Sequence, residues 1–332
     1  MNLGGTIRVN KIGFCIICCI IILFVIYLSP PRTSQSKPIV NIKTLLLAAI
    51  EAAERGGEEV VRALNDTIVK HSKGETKEGV NIPVTNADYK SHCVMYYGIR
   101  EIFPNIKVIS EEEEEKRNCV NLLPLDIDTS STKLPDLPDE KVDSSKLTVW
   151  IDPLDATKEY TEKLFNFVTT MVCIAYEGRP IIGVIHKPFE KVKKTHWAWV
   201  NKGSSFVNKQ IKEHNGPNIV IISRSHAGYA SEKVKKFFGT NTRLFEAGGS
   251  GYKSLEVAVE NVTAYFHTTD ISKWDICAGD AIITALGGRF TDLNGNEIDY
   301  SSRADTLLKT GVLAAPLKKH VEVLKRKQGS LD

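Results

Sequence analysis

An α/β or α+β fold follows from three features of this 332-residue sequence. Short apolar runs of strand character interleave with stretches whose apolar residues recur at helical spacing, and no internal repeat is present. Several of the strand-like runs also end abruptly in carboxylates. Composition agrees, since 42% hydrophobic and 25% charged residues are ordinary for a chain that buries a core. The formal net charge of +3 gives no reason to expect a nucleic-acid polymer as partner, although a net charge does not report local fields.

The N-terminus departs from globular composition. Ile12–Leu28 carries no charge, follows Arg8 and Lys11, and precedes Pro30, Pro31 and Arg32. As a helix it spans roughly 26 Å, close to a thinner hydrocarbon core. A cleaved signal peptide would be shorter and end in small residues, whereas Phe24, Tyr27 and Leu28 run up to the prolines. Residues 1–11 therefore read as a cytosolic tail, 12–28 as a transmembrane signal anchor, and 29–40 as a stem. The remainder is then lumenal, in a type II topology. The sequons Asn65-Asp66-Thr67 and Asn261-Val262-Thr263 suit that side.

Past the stem, Lys43–Val69 has helical spacing broken at Gly56-Gly57, and a second helix is expected from about Asn86 to Ile102, capped by Asn86 or Thr85. Ile106–Ile109 reads as a short buried strand. Residues 116–147, rich in proline and charge, read as a long surface excursion. Leu147–Ile151 is a strand expected to stop at Asp152, followed by strands over Val168–Tyr176, Pro180–His186 and Trp197–Val200. In the last third, strands at Ile219–Ser223 and Ala264–His267 alternate with helices at Ser231–Phe238, Tyr252–Val259 and Cys277–Leu286.

Of seven cysteines, Cys15, Cys18 and Cys19 lie in the apolar span, where palmitoylation competes with a merely apolar role. Cys93, Cys119, Cys173 and Cys277 show neither paired metal spacing nor a dense disulfide framework. Cys173 reads as a core residue. A lumenal setting permits a disulfide, but the sequence does not demand one.

Four segments carry chemistry. In Trp150-Ile151-Asp152-Pro153-Leu154-Asp155-Ala156-Thr157, an apolar strand ends in two carboxylates three apart. Those side chains and the Leu154 carbonyl can share a hard cation, while the amides of a helix starting after Thr157 can meet a phosphate oxygen. The bland alternative is an aspartate capping a helix. Ser110-Glu111-Glu112 opens a five-glutamate run that would ordinarily be a solvated face, but it directly follows a strand, where α/β folds place ligands. In Lys273-Trp274-Asp275-Ile276-Cys277-Ala278-Gly279-Asp280, Asp275 opens an Ala- and Gly-rich helix, as metal ligand or as cap. Asp88, in Pro83-Val84-Thr85-Asn86-Ala87-Asp88, falls in a first helical turn, where acids are commonplace.

The ordered combination T-x-A-D, E-E after a strand, D-P-L-D-A-T and W-D-x-x-A-G-D, over about residues 43–320, resembles the lithium-sensitive, Mg²⁺-dependent phosphatases of the inositol monophosphatase superfamily. The resemblance extends to the bisphosphate nucleotidase branch through W-I-D-P-L-D-A-T-x-E-Y-T-E, V-T-T-M-V-C-I-A and G-V-I-H-K-P-F. It implies a layered αβαβα sandwich of the sugar-phosphatase type, with residues 41–202 holding the metal site and 203–325 the nucleotide contacts, before a tail at 326–332. Two or three Mg²⁺ ions are implied on Glu111, Asp152, the Leu154 carbonyl, Asp155 and Asp275, with Glu112 behind them. Asp88 and Thr157 would orient and deprotonate the attacking water. Ser223, His226, Gly249 and Lys253 would hold the nucleotide.

The implied reaction is hydrolysis of the 3′-phosphate of 3′-phosphoadenosine 5′-phosphate (PAP) to AMP and phosphate in the Golgi lumen, clearing the by-product of sulfotransferases. Sensitivity to Li⁺ is expected, and a homodimer is implied only by soluble members of the superfamily. The alternative substrate is an inositol phosphate. Against it, the inositol branch places an acid six residues before the W-D tryptophan, where this chain has Thr268. A non-catalytic membrane-tethered binding protein is the other class of reading, and loss of any metal carboxylate would favour it.

Overall fold

The computed structural model describes residues 10–28 and 38–329, apart from 68, 76, 78, 80, 114–115, 120–121, 128–133, 135–136, 193, 208–209, 213–215 and 225–226. The side chains of 25–28, 81–82, 227–229 and 328 also lie outside that description. The chain divides into two units, Met1–Lys37 and Pro38–Asp332.

The first unit contains one helix, α1 (Lys11–Leu28). Its side chains are described as far as Phe24, so the span expected over Ile12–Leu28 extends past them. Among the described residues no helix is long and apolar enough to cross a membrane.

In the second unit two short pairings flank the core. β1 (Ile39–Asn41) lies antiparallel to β5 (Lys141–Asp143), and β2 (Lys70–Glu75) to β3 (Asn81–Thr85). The helix α2 (Ile42–Arg62) starts at Asn41, whose side chain accepts from the Thr44 amide at 3.1 Å. Gly56 and Gly57 do not break it. A Cβ at Gly56 would strike Met95 and Ser91, and one at Gly57 the His186 ring, so both are contact points where bare backbone is required. The helix ends at Arg62, short of Val69. In α3 (Asn86–Ile102), Thr85 and Asp88 form a capping box.

A six-stranded sheet runs in the order β10 (Gly203–Ser204), β9 (Thr195–Trp199), β8 (Arg179–His186), β7 (Thr169–Tyr176), β6 (Leu147–Asp155), β4 (Lys107–Ser110). Alternation along its strands feeds both faces. Val172 and Ile174 pack against α2 and α3, while Met171, Cys173 and Ala175 face the other way. On that second face lie α6 (Ser250–Ala258) and α7 (Lys273–Ala285), sandwiched by a five-stranded sheet. Its order is β12 (Arg243–Ala247), β11 (Ile219–Ser223), β13 (Ala264–His267), β17 (Val312–Pro316), β15 (Gly288–Asp292). α5 (Ala227–Phe238) and α8 (Leu317–Gln328) cover the outside of this sheet through Val234, Phe238 and Val323. The layers therefore read αβαβα. The helix α4 (Thr157–Thr161) follows β6, and β14 (Ile271–Ser272), just before α7, pairs with β16 (Leu307–Leu308).

Other segments also differ from the sequence reading. β6 does not stop at Asp152 but continues to Asp155 through an irregularity against β7, where Asp152 pairs with Met171 and Asp155 with Thr169. α7 begins at Lys273 rather than Cys277, and α5 at Ala227 rather than Ser231. α8 runs through Gln328, into the residues read as a tail.

The four cysteines outside α1 form two disulfides, Cys93–Cys119 and Cys173–Cys277. Cys173 is thus both a core residue and a cross-link, tying β7 to α7 in the middle layer. It bridges 104 residues of sequence, and closing a loop of about 100 residues in the unfolded chain is worth about 4.7 kcal/mol in the chain-entropy account. Replacing both with alanine, Cys173→Ala with Cys277→Ala, should lower the unfolding free energy by about 2–5 kcal/mol in urea titrations under oxidising conditions. A loss below about 1 kcal/mol would show the bridge to be mechanically idle.

Candidate active site

The site lies where the C-terminal ends of β4 and β6 meet the N-terminal ends of α6 and α7. Glu111 extends β4, its amide donating to the Ile151 carbonyl at 3.0 Å, which aims its side chain across the end of β6. Asp152 enters from β6. Asp275 enters from the first turn of α7, where one carboxylate oxygen accepts from the Ser272 amide at 3.2 Å. The capping role and the converging role weighed for Asp275 thus coexist. Oxygens of Glu111, Asp152 and Asp275 lie within 4.8 Å of one another.

Three carboxylates this close, one buried and two half-buried, oppose one another. Burial, followed by repulsion from Glu111, pushes the carboxyls of Asp152 and Asp275 well above the ordinary carboxylate range. Among the described residues, buried Asp152 Oδ2 has no hydrogen-bond partner. A hard divalent cation fits these observations, because it supplies the missing partner and removes the repulsion at once. Glu111, Asp152 and Asp275 are the residues that would hold it.

Asp155 stands beside this trio but is engaged elsewhere. Its carboxylate accepts from the Ser250 amide at 3.1 Å, the Gly251 amide at 2.7 Å and the Thr169 hydroxyl at 3.0 Å, joining β6 and β7 to the start of α6. The Leu154 carbonyl, the other expected oxygen ligand, accepts from the Thr157 hydroxyl at 3.0 Å. Gly249 has φ 65°, and a Cβ there would sit 2.6 Å from the Phe167 carbonyl and 3.0 Å from Asp155 Oδ2. Its bareness lets α6 close onto Asp155, which is where the close backbone approach is made.

Asp88 and Thr157 meet across the gap between α3 and α4. Thr157 Oγ1 is 3.0 Å from Asp88 Oδ1, while Asp88 Oδ2 accepts from the Thr85 amide and hydroxyl at 2.7 and 2.6 Å. Burial raises the Asp88 carboxyl to about 6. Between β6 and α4 the chain turns through Ala156, a non-glycine residue at φ 68° whose left-handed backbone brings Thr157 back towards Asp88. The helix that follows, α4, has five residues.

Of the expected nucleotide contacts, Ser223 on β11 pairs with Ala247 on β12, two residues before Gly249. Ser223 ends β11 and is half-buried; His226 lies outside the described residues. Arg224 donates to Glu159 and Glu162, each at 3.0 Å. Lys253 is buried, with its ammonium on the Gly249 carbonyl at 2.6 Å and 5.2 Å from the Tyr265 ring centroid. Burial lowers its pKa, and Asp155 acts in the opposite direction.

Lys73 escaped the sequence reading. It reaches from β2 to Glu111 Oε1 at 3.0 Å and also to Glu112. Glu112 is buried and raised to about 7 by burial, so this ammonium balances charge behind the trio. Its polar surroundings, KHSKGETKEG, held no periodic signal.

Metal-free protein should reveal the carboxylate repulsion directly. Groups whose folded pKa exceeds the unfolded value stabilise at low pH and lose that contribution as pH rises through the folded value. Asp152→Asn should therefore lose less stability than the parent when chelator-treated protein is melted at pH 5 and pH 8. It should also bind Mn²⁺ at least tenfold more weakly by calorimetry. Equal pH dependence with unchanged Mn²⁺ affinity would exclude Asp152 as a ligand.

Residues 41–330 match the inositol monophosphatase family. An inositol monophosphatase 3 of Danio rerio is 42% identical over 337 residues, covering 96% of each chain. A Golgi-resident adenosine 3′,5′-bisphosphate 3′-phosphatase of Mus musculus is 41% identical over 305 residues, 88% of this chain and 83% of its own. Among solved structures, an inositol monophosphatase of Thermotoga maritima superposes with TM-score 0.61 at 19% identity, over 85% of this chain and 96% of that one, a likeness of fold.

Proposed function

The chain belongs to the inositol monophosphatase family and is a phosphatase, and on that premise we propose that it removes the 3′-phosphate of PAP with Mg²⁺, giving AMP and phosphate. The carrying observation is the carboxylate trio of Glu111, Asp152 and Asp275 next to the Asp88–Thr157 pair. Mg²⁺ held by the trio, in two or three positions with Asp155 and the Leu154 carbonyl, would offset phosphoryl charge and acidify water.

The chain's own residues supply the proton path. Thr157 Oγ1 hands its proton to Asp88 Oδ1 as it takes one from the attacking water, since a threonine hydroxyl alone is too weak a base. Asp88, raised to about 6, is matched to that task near neutral pH, and the path closes as pH falls below that value. Lys73 balances the charge of Glu111 and Glu112.

Two observations support the choice of PAP. The mouse relative is named for that reaction, and Thr268 stands where the inositol branch has an acid. Hydrolysis of an inositol phosphate is the second reading, favoured by the name of the zebrafish relative.

A type II anchor in the Golgi membrane, with the catalytic unit lumenal, completes the proposal. The described part of α1 exposes Ile12, Phe14, Ile16, Ile17 and Ile20–Phe24, an all-round apolar surface suited to lipid. Two disulfides suit an oxidising lumen.

Assay of the purified chain with Mg²⁺ on PAP and on inositol 1-phosphate tests the substrate. A higher kcat/KM on PAP is expected, and preference for inositol 1-phosphate would reverse the assignment. Thr157→Ala should reduce kcat by about 10²–10⁴ with little change in KM. Activity within tenfold of the parent would remove Thr157 from the proton path.

A further inference from the structure

The outer helices α5 and α8 carry a concentration of positive charge that the catalytic site does not use. α5 has three lysines and one glutamate; α8 has four lysines, one arginine and one glutamate. Their net of six positive charges exceeds the +3 of the whole chain, so all other residues together are net acidic. The two helices are neighbours. Val234 and Phe238 of α5 share an apolar cluster with Val323 of α8, and the Arg326 guanidinium lies 3.6 Å from where a Gly239 Cβ would sit. With those residues turned to the sheet, Lys235, Lys236, Lys318, Lys325 and Arg326 are exposed on the outside.

Fold stability does not account for this face. Lysines in a last turn complement the helix dipole, which covers Lys235, Lys236 and Lys325. Lys318 and Lys319 sit in the first turn of α8, the unfavourable end. Glu322 pairs with both Lys319 and Arg326 and is the only acid on α8.

We infer that this face binds a linear polyanion, specifically a sulfated polysaccharide. The inference rests on the lumenal PAP-phosphatase reading. An anionic bilayer is the weaker partner there, because negative surface potential belongs to the cytosolic leaflet. Flexible lysines suit sulfate esters spaced along a chain better than they suit planar bidentate recognition. Sulfate transfer from 3′-phosphoadenosine 5′-phosphosulfate yields PAP and a sulfated acceptor together. A phosphatase resting on the acceptor polymer would meet PAP where it forms.

The test uses the full chain in nanodiscs of zwitterionic lipid and a fluorescent heparin dodecasaccharide. Controls are unsulfated heparosan of equal length, a double-stranded DNA oligonucleotide and vesicles containing phosphatidylserine. Binding should weaken at least tenfold between 50 and 200 mM NaCl, as for any contact made by several ion pairs. The triple variant Lys235→Glu, Lys236→Glu, Lys325→Glu should lose at least tenfold in affinity with turnover of PAP unchanged. A triple of equal charge on other surfaces, Lys107→Glu, Lys191→Glu, Lys309→Glu, should lose less than threefold. If the first triple melts early, the corresponding glutamine variants replace it.

Equal losses in the two triples, heparosan bound as tightly as heparin, or tighter binding to DNA or to the vesicles would each overturn the inference. Protease protection of the catalytic unit in intact microsomes is scored separately. Glycan binding by a chain whose catalytic unit proves cytosolic keeps the surface and rejects the lumenal reading. A protected unit without glycan binding rejects the surface alone.

Discussion

The structure is organised around a repulsion. Glu111, just past β4, Asp152 on β6 and Asp275 on α7 are brought together by the fold with their oxygens in a partly buried setting. Left to themselves, Asp152 and Asp275 hold protons they would release in water. Everything nearby is consistent with a site completed by positive charge. Lys73 approaches Glu111 from one side, and Lys253 lies buried near Asp155 on the other. Asp155 is quieted by two amides and a hydroxyl.

Holding mutually repelling groups in place requires rigid supports, and the layered fold supplies them. Trp150, two residues before Asp152, donates its indole N–H to the Tyr300 carbonyl at 2.9 Å, and the Tyr300 hydroxyl donates to Asp280 on α7 at 3.0 Å. That chain joins the strand bearing Asp152 to the helix bearing Asp275. The Cys173–Cys277 bridge ties the neighbouring strand β7, where Cys173 pairs with Trp150, to α7 two residues from Asp275. On the other side of the sheet, His92 of α3 contacts Ser110 at 2.8 Å, next to Glu111. The three carboxylates are thus set by core contacts rather than by surface loops.

Much of this was legible in the residues. Apolar runs that terminate in carboxylates located β4 and β6, and the Ala/Gly-rich segment after Asp275 announced a closely packed helix, which Gly279 against Ser254 confirms. What escaped depended on tertiary pairing. The extension of β6 past Pro153 required β7 to offer Thr169 to Asp155, a partner invisible to local periodicity. The bridge across 104 residues had no spacing signature. β12, β15 and β17 are five-residue strands whose short patterns do not stand apart from those of turns or helix ends.

The Cys93–Cys119 bridge has a consequence for biogenesis. It encloses β4 and Glu111 within a segment of 26 residues near the front of the catalytic unit. In an oxidising compartment this clasp can close while the ribosome is still adding the second sheet. One third of the carboxylate trio would then be fixed in shape before Asp275 is even polymerised. The centre would be built vectorially, an early acid waiting for a late one, and the closing helix would arrive with its own cysteine ready to lock the assembly.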